Sequence, residues 1–154
     1  MARAPYVAYL DDDDEYHPDF LRIMMGQAAK HPDQPVFYCR CKWHDKNTGR
    51  RIWGNPLQPW LSRWSREKLS RFNFIASDNV VHKKSLIEKV GGWNPETYFD
   101  DYDLWKRMSQ ECDFFYVNRA LVIFYVGDCP PFFRRLFTKG WKILRYGRRL
   151  QDQG

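Results

Sequence analysis

A chain of 154 residues holds one ordinary domain with a core of its own and is too short for two. With 44% hydrophobic and 18% aromatic residues it is excluded from the disordered class. The net charge of +6 is concentrated: of 25 basic and 19 acidic residues, 7 and 1 fall in residues 130–154, so the first 129 carry 18 of each.

The longest uninterrupted apolar run, residues 120–126, is far short of the roughly 20 residues that span a bilayer, so no transmembrane helix is expected. No secretory leader is visible, because the apolar opening runs directly into four aspartates; a cytoplasmic chain is expected. Cys39, Cys41, Cys112 and Cys129 are then ordinary thiols and not a disulfide framework.

Residues 6–10 form a short apolar run stopped by acids, which predicts a buried strand ending at an acidic loop. Pro18 suits the first turn of a helix, and Leu21, Met24, Met25, Ala28 and Ala29 recur at helical spacing up to the breaker at residues 31–35. Residues 36–43 alternate, with Phe37, Cys39, Cys41 and Trp43 on one face, which predicts a half-buried strand. Asn47, Thr48 and Gly49 then turn a hairpin back through residues 51–53. A helix is expected over 59–72, a strand over 75–82, and a short helix over 86–90 capped by Ser85 and ended by Gly91 and Gly92. Residues 101–111 read as a helix with acids in its first turn and Leu104, Trp105 and Met108 inward; 114–117 and 121–126 read as further strands. Mixed helices and strands in this order give the α/β class.

Two acidic groups can carry chemistry. Asp11, Asp12, Asp13 and Asp14 at a strand's end are a dense set of hard oxygen donors suited to Mg²⁺ or Mn²⁺ and a diphosphate, or else a solvated acidic loop. Asp100 and Asp101 at a helix start can supply a general base, or simply offset the helix dipole. Cys39 and Cys41, with His44 nearby, lack a fourth ligand for zinc and are expected to pack in the core. His31 and His82 have no evident partner in the sequence.

Residues 6–21, with the acidic run and the trailing Pro-X-X-Leu of Pro18 and Leu21, resemble the Asp-X-Asp region of family 2 glycosyltransferases of the GT-A fold. Residues 80–94, ending in Gly91-Gly92-Trp93-Asn94, resemble the stretch before that family's catalytic helix. Asp100-Asp101-Tyr102-Asp103-Leu104-Trp105-Lys106-Arg107 resembles its Glu-Asp motif followed by an aromatic and an arginine. The resemblance covers roughly residues 2–126 and implies a partial GT-A fold: residues 1–129 as the acceptor and metal half, with the nucleotide-binding half missing, and 130–154 as a basic tail.

The resemblance further implies a hexosyltransferase-like enzyme of glycan biosynthesis that moves a sugar from a nucleotide-diphospho-sugar donor to an acceptor hydroxyl with inversion. Asp13, with Asp11, would hold Mn²⁺ or Mg²⁺; Asp11, Asp12 and Asp13 would contact the nucleotide-sugar; Asp101 would be the general base. Trp93, Asp78 and Asp100 would line the acceptor, and Arg107 would more often be an ion-pair partner. Asp128 stands where many members carry a metal-binding His. In the tail, residues 132–150 place Phe133, Leu136, Phe137, Trp141 and Leu144 at helical spacing among arginines and lysines, a pattern suited to an anionic membrane surface and a lipid-linked acceptor. No nucleic-acid partner is expected. The alternative is a catalytically incomplete fragment that serves as a membrane-surface or partner-binding module.

Overall fold

The structure is a computed structural model and describes residues 3–52 and 63–126. Six strands, β1 (Tyr6–Ala8), β2 (Glu15–Tyr16), β3 (Val36–Asp45), β4 (Arg51–Ile52), β5 (Val80–Lys83) and β6 (Phe115–Val126), form one mixed sheet in the order β1-β5-β3-β6-β2, with β4 paired to β3. Four helices are described: α1 (Phe20–Lys30), α2 (Arg66–Arg71), α3 (Lys84–Lys89) and α4 (Asp100–Glu111). A single 3₁₀ turn, Ser77–Asn79, leads into β5. This mixed α/β architecture is consistent with a partial GT-A fold.

Strand β3 lies at the centre, and its alternation divides the core in two. Val36 and Tyr38 pack with Leu69, Leu86, Leu104, Trp105 and Met108 beneath α2, α3 and α4. Phe37 and Cys39 pack with Phe20, Met24 and Ala28 of α1 and with Val117, Leu121 and Val122 of β6. The strand expected to be half-buried is therefore buried on both faces over Val36–Cys39, because helices cover the sheet on either side. Cys39 is a core thiol whose pKa burial pushes up to about 12, in keeping with packing and not with metal binding.

Several local expectations shift. In α1 the inward stripe is Phe20, Met24 and Ala28, four residues apart, while Leu21 and Met25 face outward. Ser85 lies inside α3 and Lys83 occupies its cap position. Strand pairing runs up to Lys83, whose N–H reaches the Pro35 carbonyl at 2.8 Å, so the helix starts immediately after it. The strand expected over 75–82 is confined to β5. The two strands expected at 114–117 and 121–126 are one continuous β6, parallel to β3, with an irregular register at Cys39, Arg40 and Cys41 absorbing the mismatch. The hairpin at Asn47–Gly49 forms, with Gly49 at φ +64°. Of the helix expected over 59–72, the part within the described residues is α2, capped by Ser65, whose Oγ accepts the Lys68 N–H at 3.1 Å. Residue Asp128, Cys129 and the tail at 132–150 lie outside the described residues. Among the described residues no helix is long and apolar enough to cross a membrane.

Candidate functional site

Strands β1 and β5 are antiparallel with Ala8 opposite Val81, and the same register carried three residues further sets Asp11 opposite Asp78. The contact is made: the Asp11 N–H donates to Asp78 Oδ1 at 3.2 Å, and Ser77 Oγ donates to the same oxygen at 3.5 Å. A turn closed by the Asp14 N–H on the Asp11 carbonyl (3.2 Å) brings Asp14 alongside, where its Oδ1 accepts the Tyr125 N–H of β6 at 3.1 Å. Asp11, Asp14 and Asp78 thus each offer an oxygen, all within 4.8 Å of one another.

Asp78 is fully buried, and its Oδ2 has no hydrogen-bond partner. Burial first, and then Asp14 and Asp11, raise its pKa to about 7; Asp11 is raised by burial and by its neighbours Asp14, Asp13, Asp12 and Asp100. An orphaned buried carboxylate oxygen in an all-oxygen donor set fits a hard divalent cation such as Mg²⁺ or Mn²⁺, because the cation would relieve both the repulsion and the missing contact. Asp12 and Asp13 lie outside this group. Asp12 is exposed, and Asp13 is exposed and paired with Lys46 at 3.4 Å.

Asp100 and Asp101 open α4. Asp101 Oδ1 accepts the Tyr102 N–H at 2.6 Å and its Oδ2 accepts Asn73 Nδ2 at 3.0 Å, so both oxygens are oriented. Burial raises the Asp101 pKa above the ordinary carboxylate value, against the lowering effect of those two donors. Exposed Asp100 accepts the Asp101 N–H at 2.8 Å, and its charge adds to those that raise the Asp11 pKa.

Trp93 follows Gly91 and Gly92, which end α3 at φ +86° and +76° with N–H bonds back to Glu88 (3.3 Å) and Ile87 (2.9 Å). Its ring is partly exposed and meets the edge of Tyr9 (centroids 5.2 Å) and of Trp105 (6.3 Å). Arg107 pairs with Asp103 at 2.8 Å and donates to the carbonyls of Val90 and Gly92, the latter at 2.8 Å, so it is a structural tie for this turn.

The structure orients Asp101, packs Trp93 against Tyr9, and sets Asp78, expected among the acceptor residues, beside Asp11 and Asp14. The sequence names Asp14 only within the acidic run, with Asp13 and Asp11 as the metal pair, and gives no role to Asn73, Tyr9 or His82. Asn73 and His82 meet partners 28 and 73 residues away, which no local pattern discloses. His31, likewise partnerless in the sequence, packs on Phe115 with centroids 4.4 Å apart.

A carboxylate cluster at strand ends can hold a cation against a charged leaving group, and an oriented carboxylate at a helix start can accept a hydroxyl proton. The family model described as Glycosyl transferase family 2 matches residues 1–90, more than half of the chain and including Asp11, Asp14, Asp78 and the end of α3. On that match, the chain belongs to glycosyl transferase family 2, a family of enzymes that move a sugar from a donor to an acceptor.

Proposed function

We propose that this chain carries the metal and acceptor side of an inverting, metal-dependent sugar transfer from a nucleotide-diphospho-sugar to a hydroxyl of a glycan or lipid-linked acceptor. The observation that carries the reading is the buried, unpaired Oδ2 of Asp78 within the group formed with Asp11 and Asp14. Those three residues would hold Mn²⁺ or Mg²⁺. Asp13, held only by an exposed pair with Lys46, would join them or the diphosphate, and Asp12 would reach the nucleotide. When bound, the cation supplies electrostatic stabilisation to the departing diphosphate.

The chain's own residues do the rest. Asp101 is fixed by Asn73 and the Tyr102 N–H, and its raised pKa makes it a stronger base than an ordinary carboxylate. It takes the proton of the acceptor hydroxyl as that oxygen bonds to the anomeric carbon. The bond to the diphosphate oxygen breaks on the opposite face, and the nucleoside diphosphate leaves with the electron pair. Trp93 offers its open face to the acceptor sugar, with Asp100 at the rim. The tail at 132–150 would bring the enzyme to the cytoplasmic membrane face, where lipid-linked acceptors lie.

Thermal melting with Mn²⁺ and each of four nucleoside diphosphates tests the donor side. One of them at about a hundred times its Kd should raise the melting temperature by ~5 °C. Asp78→Asn and Asp11→Ala should abolish the rise; no rise with any of them in the wild type overturns the reading. Transfer of labelled sugar from a nucleotide-sugar panel to a glycan array tests the base. Asp101→Asn should reduce it by about 10²-fold or more while keeping the nucleotide response.

A further inference from the structure

The chain leaves β1 at one edge of the sheet and re-enters it as β2 at the other, since these strands are the two ends of the order β1-β5-β3-β6-β2. The acidic run at 11–14 is this crossing. Its far side is anchored twice. Glu15 and Tyr16 pair with Ile123 and Val122 of β6, and the Tyr16 ring stacks on Phe20, a fully buried residue of α1, with centroids 3.7 Å apart and planes 7° from parallel. Backbone and ring are both held, so the direction of the Tyr16 hydroxyl is held too. That hydroxyl donates to the carbonyl of Tyr9, the residue just beyond β1. A carbonyl can only accept, so the phenol is the donor, and the crossing is closed from its far side back to its near one.

We propose that Tyr16 is a positioning residue for the cation: its bond to the Tyr9 carbonyl clamps the two arms of the crossing, keeps Asp11 and Asp14 at a fixed spacing from Asp78, and so raises the group's selectivity for Mg²⁺ over Ca²⁺. Inside the clamp the Asp14 N–H closes on the Asp11 carbonyl at 3.2 Å. The other ties are the Asp11 N–H on Asp78 at 3.2 Å and the Tyr125 N–H on Asp14 at 3.1 Å. Every one of these involves a member of the group, and three carboxylates with oxygens within 4.8 Å of one another repel. The clamp is the tie in which neither partner is a member, so it restrains the crossing without competing for a carboxylate oxygen that a cation would need. Mg²⁺ demands near-ideal octahedral geometry, whereas Ca²⁺ accepts more oxygens in a flexible one. A rigid donor set therefore favours the smaller ion, and a loosened one gives that preference up.

The inference rests on the reading of Asp11, Asp14 and Asp78 as a cation site, and its test separates the two. In the full chain, free Mn²⁺ is counted by its EPR signal, and Mg²⁺ and Ca²⁺ are ranked by how they displace bound Mn²⁺. Tyr16→Phe keeps the ring that stacks on Phe20 and removes only the hydroxyl. It should weaken Mg²⁺ about fivefold, as expected for loss of one hydrogen bond, and leave Ca²⁺ within about twofold. A role in stability alone would lower the melting temperature and leave the ratio of the two affinities where it was. An unchanged ratio in folded Tyr16→Phe overturns the clamp, whether both ions bind as before or both bind more weakly. Where Tyr16→Phe does not fold, Phe20→Leu carries the test, because it keeps the hydroxyl and removes the ring that orients it. The Mg²⁺ preference should again fall, and an unchanged preference overturns the proposal. Mn²⁺ that binds equally to wild type and Asp78→Asn overturns the cation reading, and the clamp's role with it. Mn²⁺ that binds through Asp78, with a ratio of Mg²⁺ to Ca²⁺ insensitive to Tyr16, overturns the clamp alone.

Discussion

Asp78 shows how placement alone can set a single side chain apart. Its type and its neighbours in sequence are unexceptional; what distinguishes it is complete burial opposite Asp11 with one oxygen left unpaired. That state has a consequence for stability. The folded pKa of Asp78 is raised to about 7, whereas an aspartate in the unfolded chain titrates near ~3.9. Between these values the folded state binds more protons than the unfolded one, so stability present in full below about pH 4 is lost as pH rises toward about 7. Asp11 and Asp101 are raised too and act in the same direction. In EDTA the melting temperature should therefore fall across this window, and Mn²⁺ should offset the fall by pairing with the ionised group. Asp78→Asn should remove most of the slope. Calorimetry across the window decides it, and a melting temperature that climbs from pH 4 to 7 in EDTA is the contrary result. At this scale Asp11 and Asp101 stand out in the sequence because their acidic runs are local; Asp78 enters there only through the family resemblance, as an acceptor residue, and its place beside Asp11, like the partners of Asn73 and His82, needs the tertiary pairing.

At the scale of elements, amphipathic period and glycine punctuation locate α1, α4, the hairpin and the end of α3 correctly. They misjudge faces and boundaries where tertiary packing decides. In α1, Leu21 and Met25 are as apolar as Met24, and the sheet's position alone selects the stripe one residue earlier. In β6, the polar pair Asn118 and Arg119 suggests a break, yet both are exposed residues at the register shift between Val117 opposite Cys39 and Ala120 opposite Arg40, and β6 runs on past them. The tie between α4 and α3 is similarly invisible in sequence. Arg107 reaches Val90 and Gly92 across 17 and 15 residues, and meets the carbonyls that a helix end leaves without partners. Arg107→Ala should cost about 2 kcal/mol, since two carbonyls and the Asp103 carboxylate lose a charged donor together. Arg107→Lys should recover little of that, because one ammonium cannot span three acceptors. Urea denaturation checks this: the midpoint should fall with the m-value unchanged. A midpoint within error of the wild type in Arg107→Ala would show the tie to be dispensable.

Over the whole molecule the charge is divided by region. The first 129 residues balance, and within them the acids collect at the ends of β1 and at the start of β5 and α4. The excess belongs to residues 130–154. Among the described residues, the buried members of both core clusters fall between Phe20 and Val122. We therefore expect removal of residues 130–154 to leave the melting temperature within about 2 °C, a surface-type change, and to abolish sedimentation with vesicles of anionic phospholipid. Each basic residue near such a surface contributes about 1 kcal/mol, and the aromatic residues Phe133, Phe137 and Trp141 add an apolar component that salt does not screen. The two components separate by salt. At about 1 M, where the Debye length is ~3 Å, binding should fall sharply but not vanish, and the residue that survives should depend on Trp141 and Phe137. Complete loss at high salt would reduce the tail to an electrostatic tether, and equal binding to neutral and anionic vesicles would remove the charge from the account. A tail that binds in both ways would hold the chain at an anionic surface that repels nucleotide phosphates unless a divalent cation accompanies them, which ties membrane docking and metal dependence to the same condition.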